Sequence, residues 1–159
     1  MSEKIVLDSF ALVSLYHRES GWQVVQRALY DQEKARTRAI LNWINWGEFY
    51  YIVKRRVGPA KTMDALRLLE QLPIELFPVD QPLVRAAAEI KSEHVLSYAD
   101  AFCAATAQRV DAIVFTGTPN SSRSKNSSRY AGSLSNPCFP PNPHAPTRAA
   151  RAVIHEHGF

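Results

Sequence analysis

Lys4-Ile5-Val6-Leu7-Asp8-Ser9-Phe10-Ala11-Leu12 decides the fold, because an apolar run short enough for a buried strand ends in an acid and passes at once into an apolar helical stretch. A strand with no polar alternation is buried on both faces, which is the condition of a strand inside a parallel sheet. The acid at its carboxyl end then stands where parallel sheets bind ligands. Lys4 to Asp8 is therefore read as the first strand, and Phe10 to Tyr16 as the first helix.

The same grammar repeats along the chain. An amphipathic helix is expected from Trp22 to Ala35, and a less marked strand from Thr37 to Leu41. Trp46 to Arg56 reads as a helix stopped by Gly58-Pro59, and Ala60 to Gln71 as a separate helix stopped by Pro73. A strand over Ile74 to Val79, helices over Pro82 to Ser92 and Tyr98 to Arg109, and a last strand over Ala112 to Thr116 complete the pattern. Ser97 is the expected cap of the second of those helices. Strands alternating with helices predict an α/β fold, a parallel sheet flanked by helices.

After Gly117 the character of the chain changes. Asn120 to Arg129 has neither helical nor strand period, and residues 137–146 hold five of the ten prolines. Such a segment buries too little apolar surface to offset its chain entropy, so residues 118–159 are expected to form a disordered tail, with helical promise only from Thr147 to His157. The expected division is one domain over residues 1–117 and this Ser/Pro-rich, basic tail. The net charge of +4 follows the same boundary. Residues 1–117 carry 14 Lys and Arg against 14 Asp and Glu, leaving 19 − 14 = 5 basic and 15 − 14 = 1 acidic residue beyond. An overall basic balance is thus no argument for a nucleic-acid surface on the domain itself. The sequence shows neither an apolar run of membrane-spanning length nor a signal peptide, so a cytoplasmic protein is expected. Cys103 and Cys138 lack metal-ligand spacing and predict neither a disulfide nor a zinc site.

Three acids stand out by position. Asp8 ends the first strand, Glu48 lies near the start of the helix expected from Trp46, and Asp100 lies in the first turn of the helix from Tyr98. Taken singly, each is the ordinary cap or dipole partner of a helix. Taken together, all three fall on the carboxyl rim of the expected sheet, where converging carboxylates repel unless a cation neutralises them. Oxygen-only ligands suit Mg²⁺ or Mn²⁺ rather than zinc. Such a metal activates water and stabilises charge on a phosphodiester under attack.

The local sequence around these acids resembles the conserved blocks of PIN-domain ribonucleases of the VapC toxin type. Ile5 to Leu12 is similar to their opening strand, which ends in Asp followed by Ser or Thr. Asn45-Trp46-Gly47-Glu48-Phe49-Tyr50-Tyr51 resembles the second block, a Glu before an apolar helix with basic residues at its end, here Lys54-Arg55-Arg56. Leu96-Ser97-Tyr98-Ala99-Asp100-Ala101-Phe102 looks like the third and most specific block, and Ile113-Val114-Phe115-Thr116-Gly117 like the start of the fourth. By that resemblance Asp8 and Asp100 are the principal metal ligands and Glu48 the third acid, all three catalytic. Ser9 and Thr116 are supporting hydroxyls that orient water or a carboxylate. The cofactor is Mg²⁺ or Mn²⁺, and the reaction is hydrolysis of RNA. The implied partners are the RNA substrate, a cognate antitoxin protein whose peptide crosses the active-site groove, and a second copy in a homodimer. The aromatic group Trp43, Trp46, Phe49, Tyr50 and Tyr51 reads chiefly as packing, with stacking on bases and, by the resemblance, a dimer or antitoxin contact as its functional alternatives. Lys54-Arg55-Arg56 reads first as the basic end of a helix, with contact to RNA phosphates as the alternative.

The fourth block departs from the pattern. The family runs Thr-Gly-Asp, often with Pro-Glu-Phe behind it, and Thr118 stands where the fourth acid belongs. The neighbouring reading frame contains the missing residues. Joining the last base of each codon to the first two of the next turns Gly117 to Ser121 into NAC, NCC, NAA and a codon that can be TTC, compatible with Asp-Pro-Glu-Phe. Arg129 to Ser133 likewise permits an apolar residue followed by Arg-Trp-Leu, similar to the family's closing strand. The expectation is a single-base deletion that replaced the native C-terminus after Gly117, weakening metal binding and exposing the edge of the last strand. The competing reading of function is a catalytically impaired domain that only dimerises or binds antitoxin. An aspartyl-phosphate phosphatase is disfavoured, because the position two after Asp8 is Phe10 rather than an acid.

Overall fold

β1 (Ile5–Leu7) is fully buried and occupies an inner position in the sheet of a computed structural model that describes residues 3–116. α1 (Ser9–His17) follows after Asp8 alone, and α2 (Trp22–Lys34) after a short turn. β2 (Ala39–Asn42) runs directly into α3 (Trp43–Glu70), β3 (Ile74–Phe77) follows, and α4 (Gln81–Glu93), α5 (Tyr98–Val110) and β4 (Ile113–Phe115) close the described chain. All strand pairs are parallel, in the order β3-β2-β1-β4. The architecture is the expected α/β sheet flanked by helices. The expectations for residues 118–159, the place of Thr118 and the state of Cys138 lie outside the described residues.

The uninterrupted apolar strands are explained by what covers them. Successive side chains of β1 alternate between faces: Ile5 and Leu7 join Leu12, Val13, Val25, Leu29, Phe49 and Val53 from α1, α2 and α3. Val6 turns to the other side, with Ile40, Val114 and the α5 residues Cys103 and Ala107. α4 stacks outside α5 through Leu83, Ala87 and Ile90. Cys103 is a free, buried thiol, pushed well above its ordinary pKa by burial and then by the charges of Asp8, Asp100 and Glu48. No helix among the described residues is long and apolar enough to cross a membrane.

The break expected at Gly58-Pro59 is present: α3 consists of two helical halves on either side of a kink. Gly58, at φ 80°, is its non-helical point, and Pro59 follows. The kink needs the left-handed region that glycine enters freely, and proline tolerates the position because a new helical turn starts there. Thr62 Oγ1 donates to the Gly58 carbonyl at 2.7 Å, at the start of the second half. One expectation is corrected: the helix starts at Trp43 rather than Trp46, because the Asn42 side chain accepts from the Ile44 and Asn45 amides at 3.0 and 2.9 Å. Glu48 therefore sits in the second turn of its helix rather than at its start.

Candidate functional site

The chain leaves β1 for β2 and β3 on one side and returns to β4 on the other, so strand order reverses beside β1. Parallel sheets open a crevice at such a point, beyond the strands' carboxyl ends. Asp8 occupies that position. It is 7 % exposed and caps α1, its Oδ1 accepting from the Ala11 amide at 2.7 Å. Thr116 is buried immediately beyond β4, the neighbouring strand on that rim.

α3 and α5 deliver the other two acids. Asn42 anchors α3 by its double cap and also donates from Nδ2 to Thr106 Oγ1 in α5 at 3.1 Å. Asn45 Nδ2 donates to the Ala99 carbonyl at 3.3 Å, tying the first turn of α3 to the first turn of α5. Both asparagines are fully buried, so these bonds form where water does not compete. The pair sets Glu48 and Asp100 on adjoining helices. Ser9 Oγ donates to Glu48 Oε2, and Tyr51 Oη donates to Glu48 Oε1 at 3.3 Å. Asp100 belongs to a capping box: its amide donates to Ser97 Oγ at 3.1 Å, and its Oδ2 accepts from the Ser97 hydroxyl at 2.7 Å and the Ser97 amide at 3.2 Å.

The electrostatics show that the three carboxylates share one neighbourhood. The Asp8 carboxyl is raised from 3.8 to about 7, first by burial and then by the charges of Asp100 and Glu48, against the lowering hydrogen bonds from Ala11 and Phe10. Tyr51 is also raised, by burial and by Glu48. The structure thus brings Asp8, Glu48 and Asp100 together, with Ser9 in direct contact and Thr116 on the same rim. Among the described residues, no three His, Cys, Asp or Glu side chains stand as a ready set of metal ligands. Ser9, Tyr51, Ser97 and the Ala11 amide each hold an oxygen of one of the three carboxylates. The donor chemistry nevertheless fits a hard cation. A buried carboxylate facing two others is neutralised either by a proton, which is what the rise to about 7 records, or by a bound positive ion.

Sequence reasoning missed three members of this arrangement. Tyr51 was read with the packing aromatics, although its spacing of three from Glu48 puts the two on one helix face. Asn42 was overlooked as a cap, although an asparagine before an apolar helix is its usual signal. Asn45 carried no distinguishing signal.

A family model described as PIN domain matches residues 5–118. No curated protein matches at the level of sequence. Three solved structures resemble the fold. The VapC20 toxin of Mycobacterium tuberculosis, described as cleaving the sarcin-ricin loop, is 15 % identical with a TM-score of 0.56, over 70 % of this chain and 87 % of that one. VapBC2 of Rickettsia felis, bound to a DNA fragment from its promoter, is 14 % identical with a TM-score of 0.58, over 69 % and 84 %. A toxin–antitoxin complex from Klebsiella pneumoniae is 21 % identical with a TM-score of 0.53, over 81 % and 92 %.

Proposed function

The chain belongs to the PIN-domain family, and from that premise we propose that it is a cytoplasmic, metal-dependent endoribonuclease of the VapC toxin type. The observation that carries the reading is the buried Asp8 carboxyl raised to about 7 beside Asp100 and Glu48, at the reversal point of a parallel sheet. Three oxygen-donor side chains of one sign at such a crevice are suited to Mg²⁺ or Mn²⁺. The bound ion supplies activated water and charge stabilisation at phosphorus.

The chain's own residues prepare that site. Asp8 and Asp100 are the principal ligands and Glu48 the third acid. Ser9 and Tyr51 hold the two oxygens of Glu48 and fix the plane of its carboxylate. Ser97 does the same for Asp100. Thr116 is a supporting hydroxyl on the rim. The double tie from Asn42 and Asn45 keeps α3 and α5 from separating, so the acids stay within reach of one ion. RNA is the proposed substrate, and a cognate antitoxin and a second copy of the chain are the proposed protein partners. Support for the antitoxin comes from the folds of the Rickettsia and Klebsiella proteins, which are described in complexes of that kind.

Cleavage of a mixed RNA substrate with Mg²⁺ or Mn²⁺, compared between this protein and Asp8→Asn, tests the proposal. The expected result is cleavage that requires the ion and falls at least about a hundredfold in the variant, the scale on which a positioned acid contributes. Equal rates from both proteins overturn it. Ion binding without any cleavage points instead to an impaired domain, as the threonine at position 118 in place of an acid favours.

A further inference from the structure

Gly47 sits inside α3, one residue before Glu48, where glycine is among the costliest helix residues. Nothing in the backbone requires it, because its φ is not positive, unlike that of Gly58. Nothing in the packing requires it either: a Cβ built there meets no atom within 4 Å. The open space is therefore neither a tight turn nor a close helix contact. What surrounds it is aromatic and cationic. Trp43 lies one turn before Gly47 and Tyr51 one turn after it, on a single i, i+4, i+8 line, 47 % and 45 % exposed. The two rings are thus separated by about 12 Å of helix rise, with no side chain at position 47 between them, while Trp46 packs edge-on against Trp43, centroids 5.5 Å apart. Tyr50 flanks the gap with its ring stacked on Trp46, centroids 5.8 Å apart and planes 15° apart.

Charge runs alongside. Lys54 Nζ lies 5.4 Å from the Tyr50 ring centroid, and the Arg55 guanidinium 5.3 Å from that of Tyr51. Both are exposed, and neither makes a salt bridge among the described residues, whereas the adjacent Arg56 is paired with Glu19. Tyr51 then links this surface to the acids through its bond to Glu48. A missing side chain between two exposed rings, with cations free of salt bridges on the same helix and a carboxylate site at its edge, matches a single-stranded nucleotide. The gap is wider than the roughly 7 Å of a two-ring sandwich, so the base stacks on one exposed ring while its phosphates meet the positive charge.

We propose that the Gly47 gap, walled by Trp43, Tyr50 and Tyr51 and lined with charge by Lys54 and Arg55, seats an unpaired RNA base next to the acidic site. This rests on the ribonuclease reading and extends it, since it makes the substrate single-stranded at the position beside the cut. A paired base enters the gap only at the cost of unpairing and unstacking, which an unpaired base does not bear.

The test measures binding of a fluorescein-labelled single-stranded RNA oligonucleotide of mixed sequence, and of its duplex, by anisotropy in EDTA, so that cleavage plays no part. The full chain is compared with Gly47→Leu and with Lys54→Gln/Arg55→Gln. Single strands are expected to bind more tightly than duplex. Gly47→Leu should lose at least about tenfold in affinity, within the range for one stacked base, while melting no lower than the parent, because leucine is the better helix former. Gly47→Ala, which fills less of the gap, should lose less. The charge variant should weaken both RNAs and flatten the salt dependence. Gly47→Leu binding single strands as tightly as the parent overturns the proposal, as does equal binding of duplex. A change in oligomeric state on sedimentation, with RNA affinity unmoved, also overturns it by showing the face to be a contact between copies. If Gly47→Leu still cuts RNA like the parent while Asp8→Asn does not, the seat falls and the ribonuclease reading stands.

Discussion

Asp8 has two functions at once. Its carboxylate caps α1, which favours the charged form, yet it is buried beside Asp100 and Glu48, which favours the neutral one. Burial and like charge win, and the group is raised from 3.8 to about 7. A carboxyl held above its unfolded value binds its proton more tightly in the folded protein. Its contribution to stability is therefore complete below about pH 4 and is lost as pH rises through about 7. The metal-free protein should lose up to about 4 kcal/mol across that window from this group alone. Asp8→Asn, which keeps an acceptor for the Ala11 amide, should melt higher than the parent at pH 8 and show a flatter pH profile. Thermal melting in EDTA from pH 4 to 8 checks this, and parallel profiles for the two proteins would contradict it. The position of Asp8 was legible in the sequence because an acid closing a buried strand falls on the sheet rim, where Glu48 and Asp100 were also expected. Its partner Tyr51 was not, because a tyrosine in a helix dense with aromatics carries no mark of the one hydrogen bond that matters.

At the scale of elements, α3 and α5 carry the site, and Asn42 joins them. Its side chain caps α3 twice and donates to Thr106 from a fully buried position. Asn42→Ala removes a cap and the buried bond to Thr106, whose hydroxyl keeps only its own bond to the Phe102 carbonyl, so stability should fall by about 2 kcal/mol in chemical denaturation. A loss within about 0.5 kcal/mol, the scale of an ordinary surface substitution, would show that the tie is not structural. Strand positions and the capping of α5 by Ser97 could be read from the sequence because each rests on local chemistry, an apolar run or a Ser-x-x-Asp spacing. The break in α3 could be read for the same reason, because Gly58-Pro59 interrupts a helix by its own backbone chemistry. The start at Trp43 was obscured because β2 and α3 share Asn42 with no loop between them.

The whole molecule is an inner pair of strands, β2 and β1, between two edges, β3 and β4. Among the described residues β4 pairs with β1 alone, so its outer edge is an unpaired row of backbone groups that invites association. The one-base deletion after Gly117 that the sequence suggests concerns residues outside the described ones, and the gene itself tests it. Resequencing the gene should reveal a single-base repair that restores Thr-Gly-Asp, and the repaired protein should aggregate less on heating; the absence of any such repair contradicts the proposal. Every functional claim returns to whether three distant acids form one ion site. Mn²⁺ binding, followed by electron paramagnetic resonance on the full chain and on Asp8→Asn and Asp100→Asn, tests that most directly. One ion per chain is predicted for the parent, with binding lost in both variants. No binding by the parent, or undiminished binding by either variant, would contradict the account.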